Sequence, residues 1–415
     1  MAYDFYQSRT NLEWIHGFSY GISEFGLERV AHLHESVGAP ERSFRTIHIA
    51  GTKGKGSVAA MLANALTHAG WRVGLFTSPD ILGLNERIQI DAMPIASSEM
   101  EAVFDELAPF VREMDERHAS LGRVSAFEML VVAAFLYFAR RNVDFAVVET
   151  GLGGRFDATN ICEPSLAIIT NVARDHTHQL GETIREIAFQ KGGIIKPGVD
   201  ALSGAEDSEA IETFEQIAAG VRARLFHLDT DFPEAKGVEA SDVAMHGRGQ
   251  LRNAALVRAA AELLARGGVE IAEDSVAWAL RNTRLPGRLE VAQACPPIIL
   301  DAAHTPESLA LALEWVRETY SNHRLRVLFA VSEDKNWRKM LRLLEGCEVF
   351  FTQYEHPARS ASPKMLAQFW SGECGRIEPS ARAAFERLRS ELKEDEALLV
   401  VGSFFLLKEL SAARG

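Results

Sequence analysis

The chain has 415 residues, 47% of them hydrophobic and 24% charged, with a formal net charge of −13. That length fits two domains, three at most, and the balance is that of an ordinary globular protein. The acidic surplus argues against general binding to nucleic acid or anionic membranes, so an anionic substrate must be met by locally placed lysine, arginine or metal.

The four cysteines, Cys162, Cys295, Cys347 and Cys374, are scattered and form no C-x-x-C pair. This fits a reducing compartment and argues against a disulfide framework or a zinc-thiolate site. No apolar stretch of the export-signal kind lies in Met1 to Trp14. The longest apolar run, Met129 to Ala139, is shorter than the about 20 residues a membrane span needs and reads as a buried helix. A cytoplasmic protein is expected.

Residues 3–38 carry a helical pattern, with Leu27, Val30 and Leu33 on one face and Gly38 and Pro40 as the stop. Glu28 and Arg29 in this segment read either as a solvated helix face, which spacing alone favours, or as substrate contacts near the phosphate loop. Next comes T-I-H-I-A-G-T-K-G-K-G-S, Thr46 to Ser57. A β-rich run leads into a loop with Gly51, Gly54 and Gly56 around Lys53 and Lys55. Val58, Met61, Leu62, Ala65 and Leu66 then recur at helical spacing. Strand, glycine loop and helix start make a polyphosphate cradle: backbone N–H groups close on phosphate oxygens, the helix start adds partial positive charge, and a lysine adds a full one. Here Lys55 is followed by Gly56 and then Ser57, a variant of the usual G-x-x-x-x-G-K-[ST].

Arg72 to Phe76 reads as a strand ending in T-S-P-D-I, with Ser78 a candidate metal or phosphate contact at the strand's carboxyl end. A short strand over Asn85 to Ile90, a helix over Ser98 to Arg117 and an apolar helix over Phe127 to Arg140 follow. Asp144 to Glu149 is a buried strand ending in a carboxylate, where a Mg²⁺ ligand belongs when a phosphate loop lies upstream in the same α/β pattern. Another strand, Leu166 to Thr170, precedes N-V-A-R-D-H-T, which carries Asp175 and His176. Polar tips from three strand ends, Ser57, Glu149 and His176, point to a divalent-metal site. A short helix over Thr183 to Gln190 leads to Lys191, which spacing leaves undecided between a solvated helix end and a site residue. Residues 200–250 read as a helix, a weak strand and an acidic stretch. An Ala/Leu-rich helix, Leu251 to Gly267, contains Asn253. Leu285-Pro-Gly-Arg-Leu marks a domain junction. Beyond it, strands Pro297 to Leu300, Arg326 to Val331, Glu348 to Phe351 and Ala397 to Val401 alternate with helices, and Asp301, His304 and Ser403 follow strand ends. The predicted class is α/β: a P-loop-containing N-terminal ATPase domain with a mostly parallel sheet, residues 1–285, and a smaller Rossmann-like α/β C-terminal domain, residues 286–415. An ATP-dependent ligase and a small-molecule kinase both fit these residues. A nucleotide switch would need a guanine-selecting N-K-x-D, which is absent.

In order, A-G-T-K-G-K-G-S, T-S-P-D-I, N-E-R-I, F-E-M-L, E-T-G-L-G-G-R-F-D-A-T-N, D-H-T, Q-K-G-G-I-I-K-P-G, L-P-G-R-L-E, D-A-A-H-T-P and V-V-G-S-F resemble the folylpolyglutamate synthase/dihydrofolate synthase family of the Mur ligase superfamily. The resemblance runs from about Leu27 to Ser403. It implies ATP held by Gly51, Thr52, Lys53, Gly54, Lys55, Gly56 and Ser57, with Asn253 at adenine, Arg288 at phosphate and Asp301 at ribose. It implies two Mg²⁺ ions, one on Ser57, Ser78 and Glu149 and a second on His176 and Lys191, the lysine being the one this family carbamylates. Glu28, Arg29, Asp157 and the loop after Ser78, Asp80 included, fall at the pterin-bearing substrate; His304 and Ser403 fall at the amino-acid site. The implied catalytic groups are Lys55, His176, Lys191, Arg288 and His304. The implied reaction activates a carboxylate as an acyl phosphate, which the amine of L-glutamate attacks, with closure of the C-terminal domain excluding water. The implied partners are these small molecules, with no nucleic acid or membrane, and the expected state is a monomer.

The sequence departs from the family pattern at four positions, where Lys53 stands for Asn, Asp80 for His in T-S-P-H, Gly249 for the His before the Asn253 helix and Thr305 for Asn in A-H-N-P, and in the acidic 230–245 stretch, which is shorter than the corresponding strands of the family. Asp80 swaps a cation for an anion beside the acid-substrate loop. This leaves two acids open, a folate-type acid and a different carboxylic acid joined to an amino acid by a related ligase.

Overall fold

A computed structural model describes residues 26–355, 359–372 and 375–411. The chain packs as two units. The first takes residues up to Ser78, Leu84–Asp242 and Leu251–Arg281; the second takes Pro79–Gly83, Val243–Gln250 and Asn282 onward.

The first unit is built on eight strands: β1 Arg45–Ala50, β2 Val73–Phe76, β3 Ile88–Ile90, β4 Met93–Pro94, β5 Phe145–Glu149, β6 Pro164–Ile169, β7 Asp200–Ser203 and β8 Arg224–His227. Their order is β4-β3-β2-β5-β1-β6-β7-β8. The six strands from β2 to β8 pair in parallel, and β3 and β4 add an antiparallel edge. Strands β1, β2, β5 and β6 are buried almost throughout, which is why they read as continuous apolar runs rather than alternating ones.

Helix Ala126–Arg140 fills one face of this sheet. Ser125 and Glu128 form a reciprocal capping box at its start, and Met129 to Phe138 are all buried. Phe138 lies flat over Gly74 of β2: a Cβ there would come within 2.7 Å of the ring, so the strand needs glycine to let the helix approach.

Several expectations are corrected. The first described helix is Glu28–Ser36, and residues 3–25 of the expected helical segment lie outside the described residues. Arg29 is no solvated-face residue. It is buried, and its guanidinium makes paired contacts with both oxygens of buried Glu128 at 2.9–3.0 Å and donates to the Leu121 carbonyl at 3.3 Å. Residues 84–87 form a 3₁₀ turn before β3 rather than part of the strand. The 200–250 stretch holds two strands, β7 and β8, around helix Ser208–Val221. Removing Arg29 would strand a buried carboxylate. Arg29→Met is therefore expected to cost about 3–5 kcal/mol in urea unfolding, where a solvated-face change costs about 0.5 or less.

The second unit carries six strands: β9 Glu290–Ala294, β10 Pro297–Asp301, β11 Arg324–Phe329, β12 Glu348–Phe351, β13 Gly375–Ile377 and β14 Glu396–Val401. Their order is β13-β12-β11-β14-β10-β9, parallel except for β9 on the edge. Separate apolar clusters cover its two faces, one around Phe329, Trp337 and Phe351, the other around Phe350, Phe385 and Leu407. Among the described residues no helix is long and apolar enough to cross a membrane.

Candidate active site

In the first unit the candidate groups gather at the carboxyl ends of β2, β5, β1 and β6. The loop after β1 passes through Gly51 at φ 151° and Gly54 at φ 84° before helix Lys55–His68 begins. A side chain at Gly54 would strike the Asn253 amide, so glycine serves both the left-handed backbone and the close approach of Asn253. The loop is pinned to the segment after β6. Thr52 N–H donates to the Asn171 carbonyl at 3.1 Å and Lys53 N–H to the Asn171 side-chain oxygen at 3.0 Å; Thr170 Oγ1 donates to the Lys53 carbonyl at 2.7 Å. These bonds use the Lys53 backbone, so they do not depend on which side chain stands at position 53. The first N–H groups of a helix have no partner within it, and here they belong to the loop that carries Lys55.

Glu149, the last residue of β5, is 4% exposed, which excludes a surface strand end. Its Oε2 accepts the Ser78 N–H at 3.0 Å and its Oε1 lies 4.0 Å from Lys55 Nζ. A Cβ on Gly56 would come within 3.3 Å of the same carboxylate. The carboxylate thus stands at the helix start between the loop lysine and the T-S-P turn. Ser57, in the first helical turn, is buried. This oxygen-only set fits magnesium, which takes one or two carboxylates and completes its shell with water and substrate phosphates. Among the described residues no three His, Cys, Asp or Glu side chains gather as a metal cage. An ion here would therefore rest on Glu149, serine hydroxyls and the nucleotide.

Lys191 is the last residue of helix Ile184–Lys191 and is 3% exposed, so it is no solvated helix end. Its Nζ donates to the Gly51 carbonyl at 2.9 Å. Burial, aided by the positive charge of Lys55 and opposed by Asp175 and Asp157, lowers its pKa from 10.5 to about 7. A buried amine that is partly neutral near pH 7 is nucleophilic. His176 sits in left-handed backbone at φ 50°, with Nε2 3.8 Å from Asp175 Oδ1 and the side chain 41% exposed.

Asp157 caps the 3₁₀ turn Ala158–Ile161. Its carboxylate accepts N–H groups of Leu152 at 2.8 Å and Thr159 at 3.1 Å and the Thr159 hydroxyl at 2.5 Å. Burial raises its pKa while these donors oppose the rise. Thr159 Oγ1 also meets His48 Nε2 at 2.8 Å, and burial drives His48 down to about 3, so this histidine stays neutral. Sequence reading missed His48, Thr159, Thr170 and Asn171. For the last two a signal existed: T-N directly follows the tip of β6. Glu28 is exposed on the helix whose next residue, Arg29, is taken up by Glu128.

In the second unit, Asp301 at the end of β10 has both oxygens held by backbone: Oδ2 accepts Leu289 N–H and Oδ1 accepts Ala303 N–H, each at 2.8 Å. His304 Nδ1 lies 2.9 Å from the Ala302 carbonyl, so Nδ1 carries a proton and donates to it. Its ring centroid is 5.5 Å from Phe404, over which the Arg288 guanidinium lies at 4.8 Å. Ser403 follows β14, is buried, and its hydroxyl accepts the Phe405 N–H at 3.1 Å. Thr305 caps helix Pro306–Thr319 through the Ser308 N–H at 3.3 Å, a task threonine performs much as asparagine does. Asp80, from the segment Pro79–Gly83, is buried and pairs with Lys408.

A glycine loop at a helix start, a buried carboxylate against its lysine and a second α/β unit define a phosphate-loop, ATP-dependent ligase. Residues 287–404 match the family model described as Mur ligase, glutamate ligase domain. The chain is 34% identical over 420 residues to the dihydrofolate synthase/folylpolyglutamate synthase of Bacillus subtilis, covering 96% of each chain. The folylpolyglutamate synthase of Mycobacterium tuberculosis, solved with ADP and AMPPCP, superposes with a TM-score of 0.83 at 28% identity, covering 94% of this chain and 95% of that one. The bifunctional enzyme of Yersinia pestis, solved with AMPPNP and a manganese ion, gives 0.83 at 25% identity over 98% of each chain. The chain belongs to the dihydrofolate synthase/folylpolyglutamate synthase family.

Proposed function

We propose that this protein joins the carboxylate of a folate-type acid, dihydropteroate or a reduced folate, to L-glutamate at the expense of ATP. The observation that carries this reading is Glu149, buried at the phosphate loop and held by Lys55 and the Ser78 N–H. The full-length relation to enzymes of that name supports it.

Residues 1–285 supply the phosphate loop and 286–415 the amino-acid site. Gly51 to Ser57 wrap the phosphates with backbone N–H groups, and Lys55 balances the triphosphate charge against the incoming carboxylate. Asn253, beside Gly54, meets the adenine; Arg288 meets phosphate and Asp301 the ribose. Glu149, Ser57 and Ser78 would hold one magnesium ion, and His176 with the carbamate form of Lys191 would hold a second. Bound magnesium neutralises the charge that builds on the transferring phosphoryl group. Lys191 is suited to take up carbon dioxide as a carbamate, because its burial keeps a share of the amine neutral. Glu28, Arg29 and Asp157 lie on the acid-substrate side, where Arg29 and Asp157 act through the loops they brace. His304 and Ser403 orient the amino acid so that its amine attacks the acyl phosphate. The protein acts as a cytoplasmic monomer on small molecules.

The test is purified protein with ATP, magnesium, L-glutamate and either dihydropteroate, tetrahydrofolate or an unrelated acid, read by product mass. A product heavier by one or more glutamyl units, with ADP release dependent on acid and amino acid together, is expected. A stable phosphorylated acid without amino acid would mean a kinase. Turnover only with a non-folate acid would assign a different ligase.

A further inference from the structure

His48 sits inside the central strand β1, between Val148 of β5 and Ala167 of β6, and is fully buried. Its ring reaches the 3₁₀ turn Ala158–Ile161, where Nε2 lies 2.8 Å from Thr159 Oγ1. The Thr159 hydroxyl spends its proton on Asp157 Oδ1 at 2.5 Å, so toward the ring it can only accept. Burial keeps the imidazole neutral, so Nε2 carries the single ring proton. Nδ1 is then a bare acceptor, and it is buried without a hydrogen-bond partner. The order of donation is thus fixed, from His48 to Thr159 to Asp157. A hydroxyl that accepts one hydrogen bond donates the next more strongly. At the far end Asp157 Oδ2 accepts the Leu152 N–H at 2.8 Å, which closes the loop 150–157 that leads away from Glu149. The strand end itself is held separately, because the Thr150 N–H donates to the Ile49 carbonyl at 2.9 Å.

We infer that His48 is a positioning residue for the acid substrate: through the Thr159 hydroxyl it orients the Asp157 carboxylate, and that carboxylate shapes the loop 150–157. This rests on the reading that places Asp157 on the acid-substrate side. What counts is the N–H donor rather than the bulk of the ring. His48→Leu leaves the Thr159 hydroxyl free to turn, and Thr159→Val takes it from Asp157 outright. Either change leaves a buried carboxylate with a weaker or missing donor. His48→Gln keeps an N–H donor in place of Nε2–H, and Thr159→Ser keeps the hydroxyl.

The experiment compares wild type with these four variants and with Asp157→Asn. Steady-state KM values for ATP and for dihydropteroate or tetrahydrofolate, whichever wild type turns over, are measured with thermal unfolding alongside. His48→Leu and Thr159→Val are expected to raise KM for the acid by about tenfold and to leave KM for ATP within about twofold. His48→Gln and Thr159→Ser should stay within about threefold of wild type for both. Asp157→Asn should raise KM for the acid at least as far as His48→Leu. Should His48→Leu fail to fold, Thr159→Val, which keeps the shape of the side chain, carries the comparison. If wild type turns over neither acid, the functional reading fails and this inference with it. If Asp157→Asn leaves KM for the acid unchanged, the placement of Asp157 fails while the ligase reading stands. If Asp157→Asn raises it and the His48 and Thr159 variants only lower the unfolding temperature, the positioning role alone is overturned. A His48→Gln variant as impaired as His48→Leu would overturn it too, because the ring would then act by packing and not by its N–H.

Discussion

Glu149→Gln is expected to lower kcat by roughly 10²–10³-fold without unfolding the protein. Glutamine keeps the shape and can still accept the Ser78 N–H, so the strand end and the T-S-P turn stay in place. What disappears is the negative charge 4.0 Å from Lys55. With it goes the one carboxylate among the residues assigned to the first magnesium ion. Substituting manganese, which tolerates weaker oxygen donors, should recover part of the loss. Steady-state ATP turnover at several metal concentrations, with circular dichroism to verify the fold, checks the expectation. A variant with wild-type kcat and magnesium dependence would remove Glu149 from the metal site and, with it, the observation on which the functional reading stands.

Lys191→Met is expected to abolish ligase activity and to make the protein more stable. Methionine fills a similar volume and needs no counter-charge, whereas the buried amine does. The sign follows from linkage. The folded pKa of about 7 lies below the ordinary 10.5, so between those values the unfolded chain holds a proton that the folded chain has released. Folding stability therefore rises with pH across that window, and the penalty is fully present below it. In buffer free of carbon dioxide, the stability advantage of Lys191→Met should be largest at pH 7 and below and shrink toward pH 10.5. Carbamate formation needs the neutral amine, so wild-type activity should fall when carbon dioxide is stripped and return with bicarbonate, more readily above pH 7 than below it. Urea unfolding across pH and the mass of the intact protein check both halves. A pH-independent stability difference would mean that Lys191 keeps its proton when folded.

How much of this was legible in the residues varies by position. The phosphate loop announces itself because strand, glycines and helix start lie within twelve consecutive residues, and each part leaves a local mark. Glu149 was readable for a related reason: an apolar run that ends abruptly in an acid is a strand tip. Lys191 was not readable from spacing. Its burial comes from Gly51 and its neighbours, 140 residues away in the chain. Arg29 misled, because a polar residue on a short helix usually faces water, and only the approach of Glu128 converts it into a buried pair.

Asp80 makes the sharpest contrast. Read along the chain it is an anion placed beside an acid-binding loop. In the fold it is a neutralised anchor, because Lys408 reaches it across 328 positions of sequence.

By itself the sequence determined the class of fold, the order of its strands along the chain and the tips on which chemistry can stand, since hydrophobic periodicity, glycine and proline act over a few residues. Tertiary structure alone decided which charges are free and which are spent, and how far burial shifts each group. The energy of a charge depends on the solvent and counter-charges around it, and residues distant in the chain supply both.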